Sequence, residues 1–250
     1  MTGLSDLDPT AGITPEILDS GLASDLAGTA LAMARAFHAG ATMWCLAPRW
    51  EPHAHHMAVE FVHPVVVGKR ALPAFALTSP DIVAQTRVSV RPGDIVIAVA
   101  SADEDAVLDL MRRCGAWGAR SVWIGSGERP PTGAADHVLW IDDPNPLAPA
   151  TGRFVLMYHL LWELTHVCFE HPGLLTEPDT CEDEICITCS DEGRLAEVVW
   201  PDDGPFGRAL VRTASGEEHI DATLVSPLLP NDLVLVHAGA ALTKVGEQPW

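Results

Sequence analysis

Residues 94–100, DIVIAVA, form an apolar run after one leading aspartate, and the polar residues SADED (101–105) follow at once. A run of this length, rich in β-branched residues, is typical of a strand buried on both faces of a parallel sheet. Similar runs alternate along the chain with segments that have the apolar period of a helix. The predicted strands are 42–47, 73–78, 94–100, 121–124 and 137–141, and the predicted helices are 15–37, 52–62, 103–114 and 151–170. This alternation predicts an α/β domain, with a parallel sheet covered by helices on both faces.

Composition and charge restrict the class of protein. Hydrophobic residues make up 48% of the 250-residue sequence and charged residues 20%, which is typical of a chain that folds around a core. The formal net charge is −19. Because nucleic-acid affinity depends mainly on Lys and Arg that neutralise phosphates, we expect neither nucleic acid nor an anionic membrane as a partner. The first residues lack the basic region of a signal peptide, and no apolar run is long enough for a membrane span, so we expect a cytoplasmic protein.

The character of the sequence changes at residues 171–173, His-Pro-Gly, after which an acidic stretch leads into short β-type segments. We therefore predict an α/β domain over residues 1–172, an acidic linker over 173–184 and a small all-β barrel domain over 185–250. A segment of about 65 residues has only a small core, so we expect this barrel to lean on its neighbour.

Three of the six cysteines lie within nine residues, with Cys181 in the predicted acidic linker and Cys186 and Cys189 at the start of the second domain. In a reducing compartment, clustered cysteines indicate metal binding or catalysis rather than disulfides. Together with His237, near the end of the chain, they suggest a site for a soft metal such as zinc, copper(I) or iron. A structural zinc site or a pair of surface thiols remains an alternative, although the second CxxC of a four-cysteine zinc site is missing.

Ile-Cys-Ile at 185–187 and DLVLVHAG at 232–239 resemble the two ends of the HypC/HupF family of hydrogenase maturation chaperones. The resemblance implies an OB-like barrel in which Cys186 contacts a HypD-like maturation protein and the [NiFe] hydrogenase large-subunit precursor. It also implies that Cys186 helps to carry the Fe(CN)2CO group, with His237 assisting. Cys186 is internal rather than next to the start methionine, and Cys189 begins a segment that replaces the family's Ile-Pro-Gly turn. We expect Cys186 to be indispensable, and whether Cys189 cooperates with it stays open.

The first domain resembles a second family, the sugar isomerase (SIS) proteins, and within it the sedoheptulose-7-phosphate isomerases. The resemblance is carried by HHMAVEF at 55–61 and YHLLWEL at 158–164, and it implies a flavodoxin-like three-layer fold that pairs into a homo-oligomer. Glu60 and His159 match the family's acid and base positions, and His56 lies near them. His56 and Glu60 are four residues apart, so on one helix they share a face, as a proton-transfer or metal-binding pair would. We therefore predict His56, Glu60 and His159 as a metal set, with zinc as a candidate ion.

The alternative for His159 is a core histidine with satisfied hydrogen bonds. For His53, His55 and His63, on and beside the same predicted helix, we favour ordinary surface positions without a role.

Both phosphate-binding loops of the isomerases are replaced in this chain. APRWEP (47–52) stands in place of the glycine-rich loop, where two prolines donate no N–H and Trp50 crowds a ligand. SADED (101–105) stands in place of the Ser/Thr-Ser-Gly loop, where three carboxylates repel a phosphate. Arg49 compensates only in part. We therefore expect no isomerase activity.

Three hypotheses of function follow. The leading one is a non-enzymatic accessory protein of [NiFe] hydrogenase maturation, with the SIS-like domain used for dimerisation or docking. The second is a sugar-phosphate isomerase or a phosphosugar-binding regulatory protein. The third is a metal-trafficking protein that uses His56, Glu60 and His159.

Overall fold

The computed structural model describes residues 20–176, 193–201 and 207–246. The first part of the chain is an α/β domain, whose strands and helices are β1 (Met43–Leu46), β2 (Ala74–Ala76), β3 (Ile95–Val99), β4 (Arg120–Ser126), β5 (His137–Ile141), α1 (Ser20–His38), α2 (Glu51–Val62), α3 (Ile82–Ser89), α4 (Asp105–Cys114) and α5 (Gly152–Glu170). The five strands are parallel and lie in the order β2-β1-β3-β4-β5. The predicted parallel-sheet α/β domain is confirmed, and the order is that of flavodoxin-like sheets.

Strand β3 lies at the centre of the sheet, and none of its residues is exposed. Ile95, Ile97 and Val99 pack into the core formed with α1, α2 and α5. Val96 and Ala98 point to the other face and pack with α4 and the start of α3. Because both faces of the strand are covered, the sequence of β3 is continuously apolar instead of alternating.

Helix α3 is the element of this domain that the sequence pattern did not predict. It has eight residues, of which only Ile82 and Thr86 are buried. Its start is stabilised by Asp81, whose carboxylate accepts a hydrogen bond from the N–H of Ala84 at 2.9 Å. A short helix with so little apolar periodicity gives a weak sequence signal, and its cap is the feature that could have revealed it.

The second domain is a closed barrel of five strands, β6 (Arg194–Pro201), β7 (Arg208–Thr213), β8 (Gly216–Asp221), β9 (Leu233–His237) and β10 (Ala240–Lys244). Neighbouring strands are antiparallel except β8 and β10, which close the barrel through a parallel contact. The expected small β barrel is confirmed at this level. Its core consists of small and β-branched side chains such as Val198, Val211 and Val236.

The predicted boundary at residues 172–173 lies just after α5, and the one at 184–185 falls within residues 177–192, outside the described part of the chain, so the domain boundaries stay predictions. None of the helices in the described ranges combines the length and the apolar character that crossing a membrane requires.

A buried carboxylate joins the barrel to the α/β domain. Glu197 on β6 accepts hydrogen bonds from Arg87 on α3 and from Arg113 on α4, each at 2.8 Å at its shortest. The indole N–H of Trp117 donates to the second carboxylate oxygen at 3.0 Å. The Glu197 side chain is 2% exposed, so these donors replace its water completely. Burial alone would raise the pKa of Glu197, but the hydrogen bonds and positive charges of these partners outweigh it, and the pKa is lowered.

We predict that Glu197→Gln destabilises the protein by about 3 kcal/mol at pH 7, because it removes the carboxylate partner of the largely buried Arg87 and leaves Arg113 paired with the half-exposed Asp109. Since the pKa of Glu197 is lowered on folding, its contribution is present above the unfolded pKa and is lost as the pH falls through the folded pKa. Urea unfolding at pH 7 and at pH 4 measures both effects, and the difference between wild type and variant should shrink at the lower pH.

Glu218→Gln is the matched control, because Glu218 lies on the same barrel and its salt bridge with Arg194 is largely solvated. We expect this change to alter stability by no more than about 0.5 kcal/mol. Equal effects of the two substitutions would show that Glu197 does not hold the domains together.

Candidate metal centre and ligand cleft

Three potential metal ligands meet where α2 and α5 pack together. His56 and Glu60 lie one turn apart on α2, and His159 lies on α5. The His56 Nε2 atom is 3.2 Å from a carboxylate oxygen of Glu60 and 3.3 Å from Nε2 of His159. His159 Nε2 lies 3.6 Å from the same Glu60 oxygen. The structure therefore brings together the three residues that the sequence predicts as a metal set, which we call the His-Glu-His cluster.

The cluster is reachable from solvent. The side chains of His56, Glu60 and His159 are 36%, 19% and 42% exposed. Two imidazole nitrogens and one carboxylate form the donor set of many three-ligand zinc sites, which leave a further position for water or substrate. The geometry is suited to such an ion, and the metal assignment itself stays a prediction.

Two buried residues connect the cluster to the protein interior. The Tyr158 hydroxyl oxygen lies 2.7 Å from His56 Nδ1 and 3.4 Å from Nδ1 of His53. His53 Nε2 in turn lies 2.6 Å from the carbonyl oxygen of Pro149, just before α5. Burial is the main cause that lowers the pKa of His53, and burial together with the charge of Glu60 raises the pKa of Tyr158 to about 12. Both side chains are therefore neutral at pH 7.

The prediction that His53 is a surface residue is wrong, because its ring is 9% exposed and packs against Phe154 and Tyr158. His53 and Tyr158 are the residues of this site that sequence reasoning missed. The available signal was the spacing of His53 and His56, which places both rings on one helix face. His55 and His63 are exposed, as expected.

A separate cleft of about 580 Å³ opens at the carboxyl edge of the sheet, beside the loops that follow β1, β3, β4 and β5. The strand order reverses between β1 and β3, which is where ligands bind in open α/β sheets. Arg49, after β1, donates to both oxygens of Asp103, after β3, at 3.0 and 3.1 Å. An ion pair of this chain therefore lies at the position where such folds hold a ligand.

A buried carboxylate beside the cleft accepts a hydrogen bond from one of the cleft's backbone N–H groups. Glu104 is buried, and its carboxylate accepts the N–H of Ser101 at 3.0 Å. Burial raises the pKa of Glu104, while the hydrogen bond from Ser101 and the charge of Arg49 act to lower it. The N–H that could hold a phosphate oxygen is thus already used, and the nearby negative charge repels an anion. The expected loss of phosphate binding stays a prediction.

Comparison with known proteins identifies the fold of the α/β domain. No protein-family model matches the sequence, and no curated protein matches it. Among solved structures, a phosphoheptose isomerase from Francisella tularensis matches with a TM-score of 0.53 and 16% identity, over 59% of this chain and 88% of the isomerase. The α/β domain has the sugar isomerase fold. At this identity the match shows the fold and not the activity.

Weaker matches include a phosphoheptose isomerase from Neisseria gonorrhoeae, with a TM-score of 0.46 and 15% identity over 57% of this chain and 86% of that one. The sugar isomerase domain of an RpiR transcription factor from Sphaerobacter thermophilus has a TM-score of 0.40 and 18% identity, over 62% of this chain and 89% of that domain.

The leading prediction, a hydrogenase maturation accessory protein that carries an iron group, is contradicted by the match to the Francisella tularensis isomerase and is corrected to a protein whose α/β domain has the sugar isomerase fold. The barrel itself explains the C-terminal motif that led to the prediction. Leu233, Val234 and Val236 of β9 are buried, and Gly239 takes a positive φ of 79° in the turn to β10. Burial of the strand and the conformation of the turn therefore account for this pattern without any particular function. His237 is half-buried on β9, whereas Cys181, Cys186 and Cys189 lie outside the described residues.

We predict that Glu104→Gln increases the affinity of the cleft for inorganic phosphate by roughly tenfold, because it removes the carboxylate charge closest to the Ser101 N–H. Isothermal titration calorimetry of wild type and variant measures the change. Asp105→Asn is the control, since it removes an equal charge from an exposed position at the start of the same helix. The same gain in both variants would mean that net charge, and not the charge next to the Ser101 N–H, excludes the anion.

Proposed function

We propose that this protein binds a divalent transition-metal ion of the zinc class at the His-Glu-His cluster, within a domain that has the sugar isomerase fold. The observation that carries the proposal is the convergence of three ligand atoms, none more than 3.6 Å from the next.

Electrostatics supports a cation at this point. A carboxylate oxygen and two imidazole nitrogens repel one another at these distances unless a proton or a metal ion lies between them. Borderline divalent ions bind well to imidazole, and zinc accepts a mixed set of two histidines and one carboxylate. The partial exposure of all three side chains provides a path for the ion and room for one further ligand.

A metal ion in this position would act as a Lewis acid that polarises a carbonyl or hydroxyl oxygen of a small ligand. The chain's own residues would hold the ion from two helices, so the spacing of the site depends on the packing of α2 against α5.

Phosphosugar binding is a second candidate function, and the cleft at the carboxyl edge of the sheet favours it. Arg49 and Arg129 both line this cleft, so positive charge is available to a phosphate. The Arg49–Asp103 pair is solvent-exposed and contributes only about 0–1 kcal/mol, so an anion could displace Asp103. Buried Glu104 weakens such binding without closing the cleft, which suits a regulatory ligand better than a substrate that is turned over.

We predict that wild-type protein binds Zn²⁺ and Co²⁺ with one ion per chain, and that Glu60→Gln or His159→Gln weakens binding by more than about a hundredfold. Loss of an outer-shell partner already costs roughly 10–100-fold, so loss of a ligand must cost more. Competition titration with a zinc chelator and the visible absorption of bound Co²⁺ provide the measurements.

His55→Gln is the control for this titration, because His55 is an exposed histidine on the same helix that pairs with Glu51 instead of the cluster. Wild-type affinity in Glu60→Gln would place the ion elsewhere and contradict the proposal.

We also predict no turnover of sedoheptulose 7-phosphate by wild-type protein loaded with Zn²⁺, because the N–H of Ser101 is already bonded to Glu104 and no longer available for the substrate's phosphate. A coupled assay for the isomerised product tests this. Robust turnover that disappears in Glu60→Gln would overturn the prediction and make the protein an isomerase.

A further inference from the structure

A line of polar groups runs from the start of α5 to the His-Glu-His cluster. In order, it contains the Pro149 carbonyl, the ring of His53, the hydroxyl of Tyr158 and the ring of His56. The three links measure 2.6, 3.4 and 2.7 Å. Tyr158 is 1% exposed and His53 is 9% exposed, so water cannot easily replace either partner. We call this line the His53–Tyr158 relay.

The direction of the first hydrogen bond is set by chemistry. A carbonyl oxygen only accepts, so the Nε2 atom of His53 must carry the proton that lies toward Pro149. A neutral imidazole has one N–H, and its Nδ1 atom is then an acceptor. Among the described contacts of that nitrogen, the Tyr158 hydroxyl is the group that can donate to it.

The direction of the next bond follows. Once the Tyr158 proton points to His53, the lone pairs of the Tyr158 oxygen face the Nδ1 atom of His56 at 2.7 Å. His56 then donates from Nδ1, which leaves the lone pair of its Nε2 atom directed at Glu60 and His159. This is the tautomer that a histidine must adopt to bind a metal through Nε2.

We propose that His53 and Tyr158 are positioning residues that hold His56 in the Nδ1–H tautomer and thereby prepare its Nε2 atom to bind a metal ion. The inference rests on the proposed function, because the tautomer matters only if an ion binds at the cluster. Metal-binding histidines commonly donate their second N–H to an oxygen in this way, and the oxygen here is a phenol that needs an acceptor for its own proton. His53 supplies that acceptor although it does not touch the cluster.

The competing arrangement shows why the relay is needed. Without it, His56 would place its proton on Nε2 and donate to the Glu60 carboxylate at 3.2 Å, which blocks the metal-binding lone pair. That arrangement turns the Tyr158 proton toward His56 and leaves Nδ1 of His53 buried without a donor, which is unfavourable. Packing also holds the two rings in place, since the rings of His56 and Tyr158 meet edge to face with centroids 5.2 Å apart.

The test compares Zn²⁺ affinity in full-length wild type, Tyr158→Phe, His53→Leu, His53→Asn and the double variant Tyr158→Phe/His53→Leu. Tyr158→Phe keeps the ring and removes only the hydroxyl, so we expect affinity to fall by roughly 10–100-fold while the Co²⁺ spectrum keeps the same ligand set. His53→Leu should weaken binding as well, and the double variant should be no weaker than Tyr158→Phe alone. His53→Asn keeps a carbonyl acceptor near the position of Nδ1 and should restore part of the loss.

Far-ultraviolet circular dichroism and thermal unfolding of each variant separate a loss of positioning from a loss of folding. Full affinity in Tyr158→Phe, or fully additive losses in the double variant, would overturn the inference while the metal site stands. Long-range ¹H–¹⁵N NMR of the metal-free protein gives an independent readout, because the relay requires the proton of His53 on Nε2. A proton on Nδ1 of His53 would overturn the relay even if zinc binds, whereas no zinc binding by wild type would overturn the proposed function and the inference with it.

Discussion

The α/β domain depends on the burial of β3 against helices on both sides. Every residue from Ile95 to Val99 is 0% exposed, and successive side chains enter two different cores. A polar or charged side chain on either face would lose its water without gaining a partner, at a cost of several kcal/mol. Strands β1 and β4 pair with the two edges of β3. The position of β3 therefore also determines where the carboxyl edge of the sheet lies, and the cleft opens at that edge. The loop after β1 leads directly into α2, which carries two residues of the His-Glu-His cluster. The position of the cluster therefore also depends on the packing of β3 and its neighbours.

Two buried carboxylates have opposite roles in this acidic protein. Glu197 is surrounded by donors from α3, α4 and the segment that follows α4, and its charge is the common partner of two arginines from the neighbouring domain. Glu104 has one strong backbone donor and a distant guanidinium, at 3.9 Å, so burial dominates and its pKa is raised. The pKa values of the two carboxylates shift in opposite directions because the carboxylates differ in the number of donors that replace water. Glu197 joins two domains, whereas Glu104 occupies a donor that the fold would otherwise offer to a phosphate.

The His-Glu-His cluster and the cleft differ in the ligands that they suit. The cluster brings one carboxylate oxygen and two imidazole nitrogens together on a partly exposed surface, an arrangement that suits a shared proton or a metal ion. In the cleft, in contrast, the N–H of Ser101 is bonded to Glu104, and Arg49 is paired with Asp103. The proposed metal binding would therefore need no change in the protein, while tight phosphate binding would need Glu104 to give up its hydrogen bond. This asymmetry is why the metal candidate takes precedence over a phosphosugar role.

The sequence by itself determined the features that depend on local periodicity. The apolar run at 94–100 identified the central strand, the alternation of strands and helices identified a parallel sheet, and the spacing of His56 and Glu60 placed both on one face of α2. The same reasoning failed for α3, whose stability depends on its neighbours, and for the function inferred from the barrel motif, since a turn glycine and an apolar strand satisfy packing alone.

Only the tertiary structure decided which distant residues meet. His159 is separated from His56 by 103 positions, and their contact arises from the packing of α5 against α2. The burial of His53 likewise could not be predicted from the sequence, because a polar residue is expected at the surface unless its hydrogen-bond partners are known. Those partners, the Pro149 carbonyl and the Tyr158 hydroxyl, come from a segment about a hundred residues away. Periodicity specifies the face of a helix on which a side chain lies, but only the packing of the whole chain determines what that face meets.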